Sequence, residues 1–266
     1  MVKLIATDMD GTFLDSNKKF DKAFIPLFYR MKEMDIKFVL ASGNQYYRLY
    51  QKFLPMSEDM YFVAENGSVI AEGVNILECK VIKKEYVKLI RDLLENNNRI
   101  MMILCGKKGA YALNKNIEYK HEVQKYYCSY FFVDSFDEVD DDIMKIALLD
   151  THANVSELYK EIENHIPSEL RIVTSGNEWI DVQNKDGHKG VGLAYLQELY
   201  GISKDECMAF GDQMNDYEML EQVKYGYAMS NAVEPIKDIA YEVIGSNDEQ
   251  AVIKKIKEVL DNNGNV

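Results

Sequence analysis

Asp8-Met9-Asp10-Gly11-Thr12 closes a mostly apolar run over residues 2–6, and the pair of stretches carries the reading of the fold. The run reads as a strand of a parallel sheet, because strands covered on both faces are apolar throughout instead of alternating. In open α/β sheets, ligands bind beyond the carboxyl ends of the strands, which is where Asp8 and Asp10 stand. In a continuing strand these two carboxylates, separated by Met9, share one face. Ionised carboxylates that close repel each other, and a divalent cation relieves the repulsion. Gly11 permits close backbone approach or a positive φ at the turn. The same residues also read as an acidic strand-to-turn boundary, since Asp and Gly are turn formers.

Outward from this point, Phe24, Leu27, Phe28 and Met31 fall at helical spacing. Residues 37–41 predict a second strand, ending in Ser42-Gly43-Asn44, with a helix over about 45–53. Residues 61–64 predict a third strand, ending in the turn signal Glu65-Asn66-Gly67. This alternation predicts a doubly wound, mostly parallel sheet. Between 83 and 185 the pattern changes. Strands are predicted over 100–104, 110–113, 130–133, 143–149, 170–173 and 179–182, and helices through 117–127 and 155–162. Alternation then returns, with a helix opening at Lys189-Gly190, strands at 207–210 and 225–229, and a helical tail over 248–260. The predicted fold class is α/β. Residues 1–82 and 186–266 form a Rossmann-like core, and residues 83–185 form an inserted α+β domain.

Composition narrows the function. The 266 residues carry a formal net charge of −13, with 47% hydrophobic and 28% charged residues, which is ordinary for a globular protein. The negative balance argues against a general affinity for nucleic acid or an anionic membrane, since both are polyanions. No uninterrupted apolar stretch is long enough to span a bilayer, and the N-terminal run is too short for a signal peptide. Cys79, Cys105, Cys128 and Cys207 are widely spaced and suit reduced thiols rather than a disulfide framework or a zinc site. These features predict a cytoplasmic protein acting on a small solute. The acidic cluster Asp137, Glu138, Asp140, Asp141 and Asp142 lacks the spacing of a calcium loop and reads as a solvated loop.

Four strand ends or helix starts carry polar groups of one chemical type. They are Asp8 and Asp10, Ser42 and Gly43, Lys189, and Asp212 with Asn215 and Asp216. Together they supply a nucleophile, hydroxyl and amide donors, a cation and a third metal carboxylate, the set a phosphoryl group needs. Singly, each has a plainer reading. Ser42-Gly43 is a possible helix cap, Lys189 a surface lysine, and Asp212 and Asp216 turn residues. Asn231 reads as a helix N-cap before Ala232, with a contact to the site as the alternative, and His188 as a loop residue with no metal role. Tyr46 and Tyr47 are candidates to face the substrate, and one of them is expected to pack on the sheet.

The four motifs, in this order, resemble those of the haloacid dehalogenase superfamily, in its Cof-type phosphatase branch with a large α+β cap. The resemblance covers nearly the whole chain. DxDGT stands as residues 8–12, the motif Ser as Ser42, the motif Lys as Lys189, and GDxxND as residues 211–216. Ala41-Ser42-Gly43-Asn44-Gln45-Tyr46-Tyr47 and Val63-Ala64-Glu65-Asn66-Gly67 look most like a bacterial sugar-phosphate phosphatase. Most Cof-type proteins place Arg where Asn44 stands, and residues 247–251 depart from the usual NDEDGV.

The resemblance implies a role for each residue. Asp8 attacks phosphorus to form an aspartyl-phosphate. Asp10 is general acid to the leaving oxygen and then general base to water. Mg2+ binds Asp8, the backbone carbonyl of Asp10, and Asp212, supported by Asp216. Ser42, Gly43, Asn215 and Lys189 hold phosphate. Beside this, Asn44 follows Ser42-Gly43 at the mouth of the site, and its neutral amide, which can both donate and accept, suits a sugar hydroxyl; the plainer reading is a cap on the following helix. The expected activity is magnesium-dependent hydrolysis of a small phosphorylated metabolite, most simply a sugar phosphate. Transfer to a sugar hydroxyl, as in a phosphomutase or phosphotransferase, and a non-catalytic phosphate-binding regulator are the alternatives. Dehalogenase chemistry has no use for the acid/base that Asp10 supplies.

Overall fold

The computed structural model describes residues 1–175 and 177–266. The strands, in chain order, are β1 (Leu4–Asp8), β2 (Lys37–Ala41), β3 (Tyr61–Ala64), β4 (Val69–Glu72) and β5 (Asn75–Cys79). Then come β6 (Ile100–Gly106), β7 (Ala110–Leu113), β8 (Tyr130–Val133), β9 (Ile143–Asp150), β10 (Leu170–Ser175) and β11 (Trp179–Asn184). The last three are β12 (Cys207–Gly211), β13 (Tyr225–Met229) and β14 (Glu242–Ile244). The helices are α1 (Phe24–Glu33), α2 (Tyr46–Lys52), α3 (Lys84–Leu94), α4 (Lys120–Tyr126) and α5 (Val155–Ile162). They continue as α6 (Lys189–Tyr200), α7 (Tyr217–Glu221), α8 (Glu234–Ile239) and α9 (Ala251–Asp261).

The chain divides into two compact units, Met1–Glu78 with His188–Val266, and Cys79–Gly187. The boundaries fall at 78/79 and 187/188, where the sequence suggested 82/83 and 185/186. The first unit is α/β. Its eight-stranded sheet has the order β14-β13-β12-β1-β2-β3-β4-β5. Pairings from β14 through to β3 are parallel, and β3 and β4 are antiparallel. All five residues of β1 and of β12 are buried, as expected for central strands covered on both faces.

Strand β1 lies at Leu4–Asp8 and not at 2–6, because the pairing begins later. Leu4 to Asp8 pair with β2, whereas the amides of Val2 and Lys3 bond to the carbonyls of Gly264 and Glu206. This shift places Asp8 inside the strand, opposite Ala41. On the other side Thr7 pairs with Phe210, so β12 also ends beside Asp8. Three adjacent strands therefore deliver Asp8, Ser42 and Asp212 to one edge of the sheet. Phe13 anchors the chain just past the motif. It packs edge-on to Phe24, with ring centroids 4.8 Å apart, and also meets Phe20, Phe38 and Phe53. Phe24, Leu27, Phe28 and Met31 are the buried face of α1, as their spacing predicted.

The second unit is α+β. Its six-stranded sheet has the order β10-β11-β9-β6-β7-β8, antiparallel except for the parallel pair β7 and β8. Alternate residues of β6 and β9 feed opposite faces. Met102, Leu104, Ile146 and Leu148 join one core, and Met101, Ile103, Ala147 and Leu149 the other. The helix expected over 117–127 is shorter than predicted. A 3-10 segment occupies Asn114–Tyr119, α4 follows, and Tyr127 is already extended at φ −122° and ψ 124°. The acidic cluster is partly neutralised, with Asp137 2.5 Å from Arg91 and Asp142 2.9 Å from Lys107. Among the described residues, no helix is long and apolar enough to cross a membrane. Among the described residues, none of the four cysteines is in a disulfide.

Candidate active site

Asp8 ends β1 and is 7% exposed. Its Oδ1 accepts a hydrogen bond from Nζ of Lys189 at 2.6 Å. Lys189 is the first residue of α6 and is fully buried. His188 caps that helix, its Nδ1 accepting from the amide of Val191 at 3.3 Å, so it is a cap and not a plain loop residue. The same ammonium donates to Oδ1 of Asp216 at 2.6 Å. Oδ2 of Asp216 accepts from the amides of Asp212 and Gln213 at 2.9 and 3.0 Å. Asp216 thus links the lysine to the turn that presents Asp212. Oδ1 of Asp212 accepts from Thr12 Oγ1 at 2.6 Å.

Asp8, Asp212 and Asp216 each offer an oxygen within 4.8 Å of the others, and all three are buried. Burial raises the pKa of Asp8 to about 8, against the pull of Lys189 and with a further push from Asp216 and Asp212. Burial likewise raises Asp212, partly offset by the bond from Thr12. Burial works against the ammonium of Lys189, but Asp216 and Asp8 outweigh it and hold it charged. The two directions agree physically. Three carboxylates face one ammonium, so the lysine stays protonated while the surplus negative charge favours a proton on a carboxylate. A bound cation would serve in its place.

The structure brings the remaining residues together unevenly. Ser42 is buried, and its Oγ accepts from the amide of Asn44 at 3.2 Å and from Nδ2 of Asn44 at 3.0 Å. A Cβ on Gly43 would come within 2.9 Å of Asn66 Oδ1, so a side chain there would displace Asn66. Asn66 has φ 55°, and its Oδ1 accepts from Nδ2 of Asn215 at 3.1 Å. Asn215 therefore stands beside Gly43 through Asn66. Asp10 diverges from Asp8. The strand stops at Asp8, and the Asp10 carboxylate meets Nζ of Lys18 at 2.8 Å and Nδ2 of Asn44 at 2.9 Å.

Several of these contacts were not singled out in the sequence. Thr12 and Asn66 stood inside quoted motifs without a role, and Lys18 carried no signal at all. Asn231 is not the predicted N-cap. Its Nδ2 donates to the carbonyl of Gly11 at 2.9 Å, and α8 begins after Val233. Of the two tyrosines, Tyr46 is the one on the sheet, buried and edge-on to Phe62 at 5.6 Å.

A family model described as haloacid dehalogenase-like hydrolase matches residues 5–256. A 5-amino-6-(5-phospho-D-ribitylamino)uracil phosphatase of Escherichia coli is 36% identical over 262 residues, 97% of this chain and 96% of that protein. A Bacillus subtilis protein of the same description is 26% identical over 258 residues, 96% of this chain and 95% of that one. The crystal structure of a Streptococcus mutans protein superposes with a TM-score of 0.85 at 34% identity, covering 98% of this chain and all of that one.

Proposed function

Because the chain belongs to the haloacid dehalogenase-like hydrolases, we propose that it is a magnesium-dependent phosphatase working through Asp8. Its place in that family, among relatives described as phosphatases, makes it a phosphoric monoester hydrolase. The observation that carries the mechanism is the buried contact of Asp8 with Lys189, beside Asp212.

With one oxygen held by Lys189, the other oxygen of Asp8 attacks phosphorus. The ester bond breaks, the alkoxide leaves with a proton from Asp10, and an aspartyl-phosphate remains. Asp10 then takes a proton from water, which attacks the phosphorus and releases inorganic phosphate and free Asp8. Lys189 offsets charge on the transferring group as a fixed, dry cation. Oγ of Ser42 accepts from both nitrogens of Asn44, which leaves its hydrogen for a phosphoryl oxygen. Asn215 and the amide of Gly43 are the further donors in this reading.

The donor set fits a small hard dication. Three carboxylates less one ammonium leave two negative charges, and the partners of Asp216 already occupy both its oxygens. Asp8 and Asp212, with the carbonyl of Asp10, would hold magnesium, which would offset phosphoryl charge when bound.

For the substrate, we infer a phosphate ester of a hydroxyl-rich carbon chain, a sugar or sugar-alcohol phosphate. The family resemblance supports this class, as do relatives whose described substrate carries a phosphoribityl group. Phosphate release from a panel of sugar phosphates and the phosphoribitylamino-uracil, with and without magnesium, tests the reading. Asp8→Asn should abolish release from every substrate, since an amide of similar shape is a poor nucleophile. Retention of more than about a hundredth of the wild-type rate would rule Asp8 out, because losing a nucleophile costs orders of magnitude.

A further inference from the structure

Asp10 gives each carboxylate oxygen to a different donor. Nζ of Lys18 lies 2.8 Å from Oδ1, and Nδ2 of Asn44 lies 2.9 Å from Oδ2. Asn44 is itself tied down, since both its backbone and side-chain nitrogens reach Oγ of Ser42. Its side chain is not spent on helix α2, whose cap position is Gln45.

The loop that carries Lys18 is built for one conformation. Oδ1 of Asp15 accepts from the amides of Asn17 and Lys19, and Lys18 sits between them at φ 60°. Nζ of Lys52 donates to the carbonyl of Lys18 at 3.0 Å. A stretch more than two hundred residues away pins the loop along its length. Asn247 Nδ2 donates to the Leu14 carbonyl at 2.9 Å. Asp248 accepts from the amide and hydroxyl of Ser16 at 2.7 and 2.8 Å. Oε1 of Gln250 accepts from the amide of Asp21 at 2.8 Å.

We propose that Asn44 and Lys18 are positioning residues for Asp10, clamping its two oxygens from opposite partners so that the carboxylate keeps one orientation. An exposed ion pair alone is worth little. Here the lysine's backbone belongs to a pinned loop and the amide to the Ser42 turn, so both donors start within reach of Asp10 before substrate arrives. The terminal torsion of a free Asp is broad, and proton transfer needs the carboxyl within hydrogen-bond reach of the leaving oxygen. The proposal rests on the acid/base reading of Asp10 given above. It assigns Asn44 to Asp10 and not to the sugar.

The test compares kcat/KM of the wild type, Asn44→Ala and Lys18→Met on three magnesium-supported substrates. These are a plain alkyl phosphate without hydroxyls, a sugar phosphate and p-nitrophenyl phosphate. Nitrophenolate leaves without a proton, whereas the alkoxides need one. Each variant should lose about tenfold or more on the alkyl and sugar esters alike, part of the ~10²–10⁴-fold of acid catalysis. Nitrophenyl phosphate should stay within about twofold in Lys18→Met, and in Asn44→Ala, which also loses the bond to Ser42, it should fall at least about fivefold less than the alkyl ester. Loss on the sugar ester alone would make Asn44 a sugar contact and overturn the proposal. Equal loss on all three would point to phosphate binding or fold, and would also overturn it. Failure of the catalytic reading is separate, since it shows as activity in Asp8→Asn. A readout without turnover is a crystal structure of the Asn44→Ala, Lys18→Met double variant. Asp10 should leave its single wild-type rotamer, and an unmoved, ordered Asp10 overturns the proposal whatever the rates.

Discussion

Lys189 and Asp216 share a hydrogen bond of 2.6 Å with neither side chain exposed to solvent. The same ammonium reaches Asp8, so one lysine joins the end of β1 to the turn after β12. Position and charge are coupled in this link. The lysine is buried only because carboxylates surround it, and the carboxylates tolerate each other only because of the lysine.

Removing one side of that link should be costly. Asp216→Ala leaves the lysine with Asp8 alone and strips the acceptor from the amides of Asp212 and Gln213. A loss of about 3–5 kcal/mol is expected, the usual range for breaking a buried ion pair. Urea unfolding measures it. A loss below about 1 kcal/mol, the scale of a surface pair, would mean the link is not formed as described.

Magnesium should stabilise the protein more as pH rises from about 6 to about 8. The Asp8 carboxyl titrates near pH 8 in the folded protein, far above its ordinary value of about 3.9 when unfolded. Between those values the folded state holds a proton that the unfolded state has released, so this group's contribution to metal-free stability falls with rising pH. Metal needs the deprotonated form and displaces that proton. Thermal melts with and without magnesium across this range provide the check, as does proton release during binding at pH 7. A magnesium increment that is flat or falls with pH would contradict the assignment of Asp8 as a ligand.

Gly11 and Thr12 should control the placement of Asp212. Gly11 has φ +85°, and a Cβ there would lie 2.6 Å from Asp212 Oδ2. Gly11→Ala should cost at least the ~1–2 kcal/mol of a left-handed conformation and weaken magnesium binding by moving the carboxylate. Thr12→Val keeps the shape but removes the buried bond to Asp212, with a loss of about 1.5–3 kcal/mol for a hydrogen bond to a charged group. Calorimetric magnesium affinities for both variants decide the matter. Wild-type affinity in Gly11→Ala would show that Asp212 is not held against this turn.

The α/β core and its parallel sheet were legible because strand and helix periodicity is local. Strands such as Lys37–Ala41 and Tyr225–Met229 fall where their apolar runs stood, each bounded by turn residues. Helix ends were less legible. The segment after Leu113 breaks from 3-10 to α geometry at Lys120, and nothing in the residue pattern marks that change. Strands β4, β5 and β14 and helices α3 and α7 escaped notice, the strands because they are short runs at or next to the two edges of the sheet.

By itself the sequence determined which residues stand at strand ends and helix starts, and so the chemical inventory of Asp8, Asp10, Ser42, Lys189 and Asp212. A parallel sheet must bring its carboxyl ends to one edge, so local pattern sufficed for that much. Only the tertiary structure decided how the inventory is divided. Asp8 faces Lys189 and Asp212, whereas Asp10 turns to Lys18 and Asn44. Asn215 reaches Asn66, and residues 247–250 hold the loop that presents Lys18. These are contacts between loops far apart in the chain. A side chain's partner there depends on where two separate turns come to rest, and no periodicity within either turn encodes that.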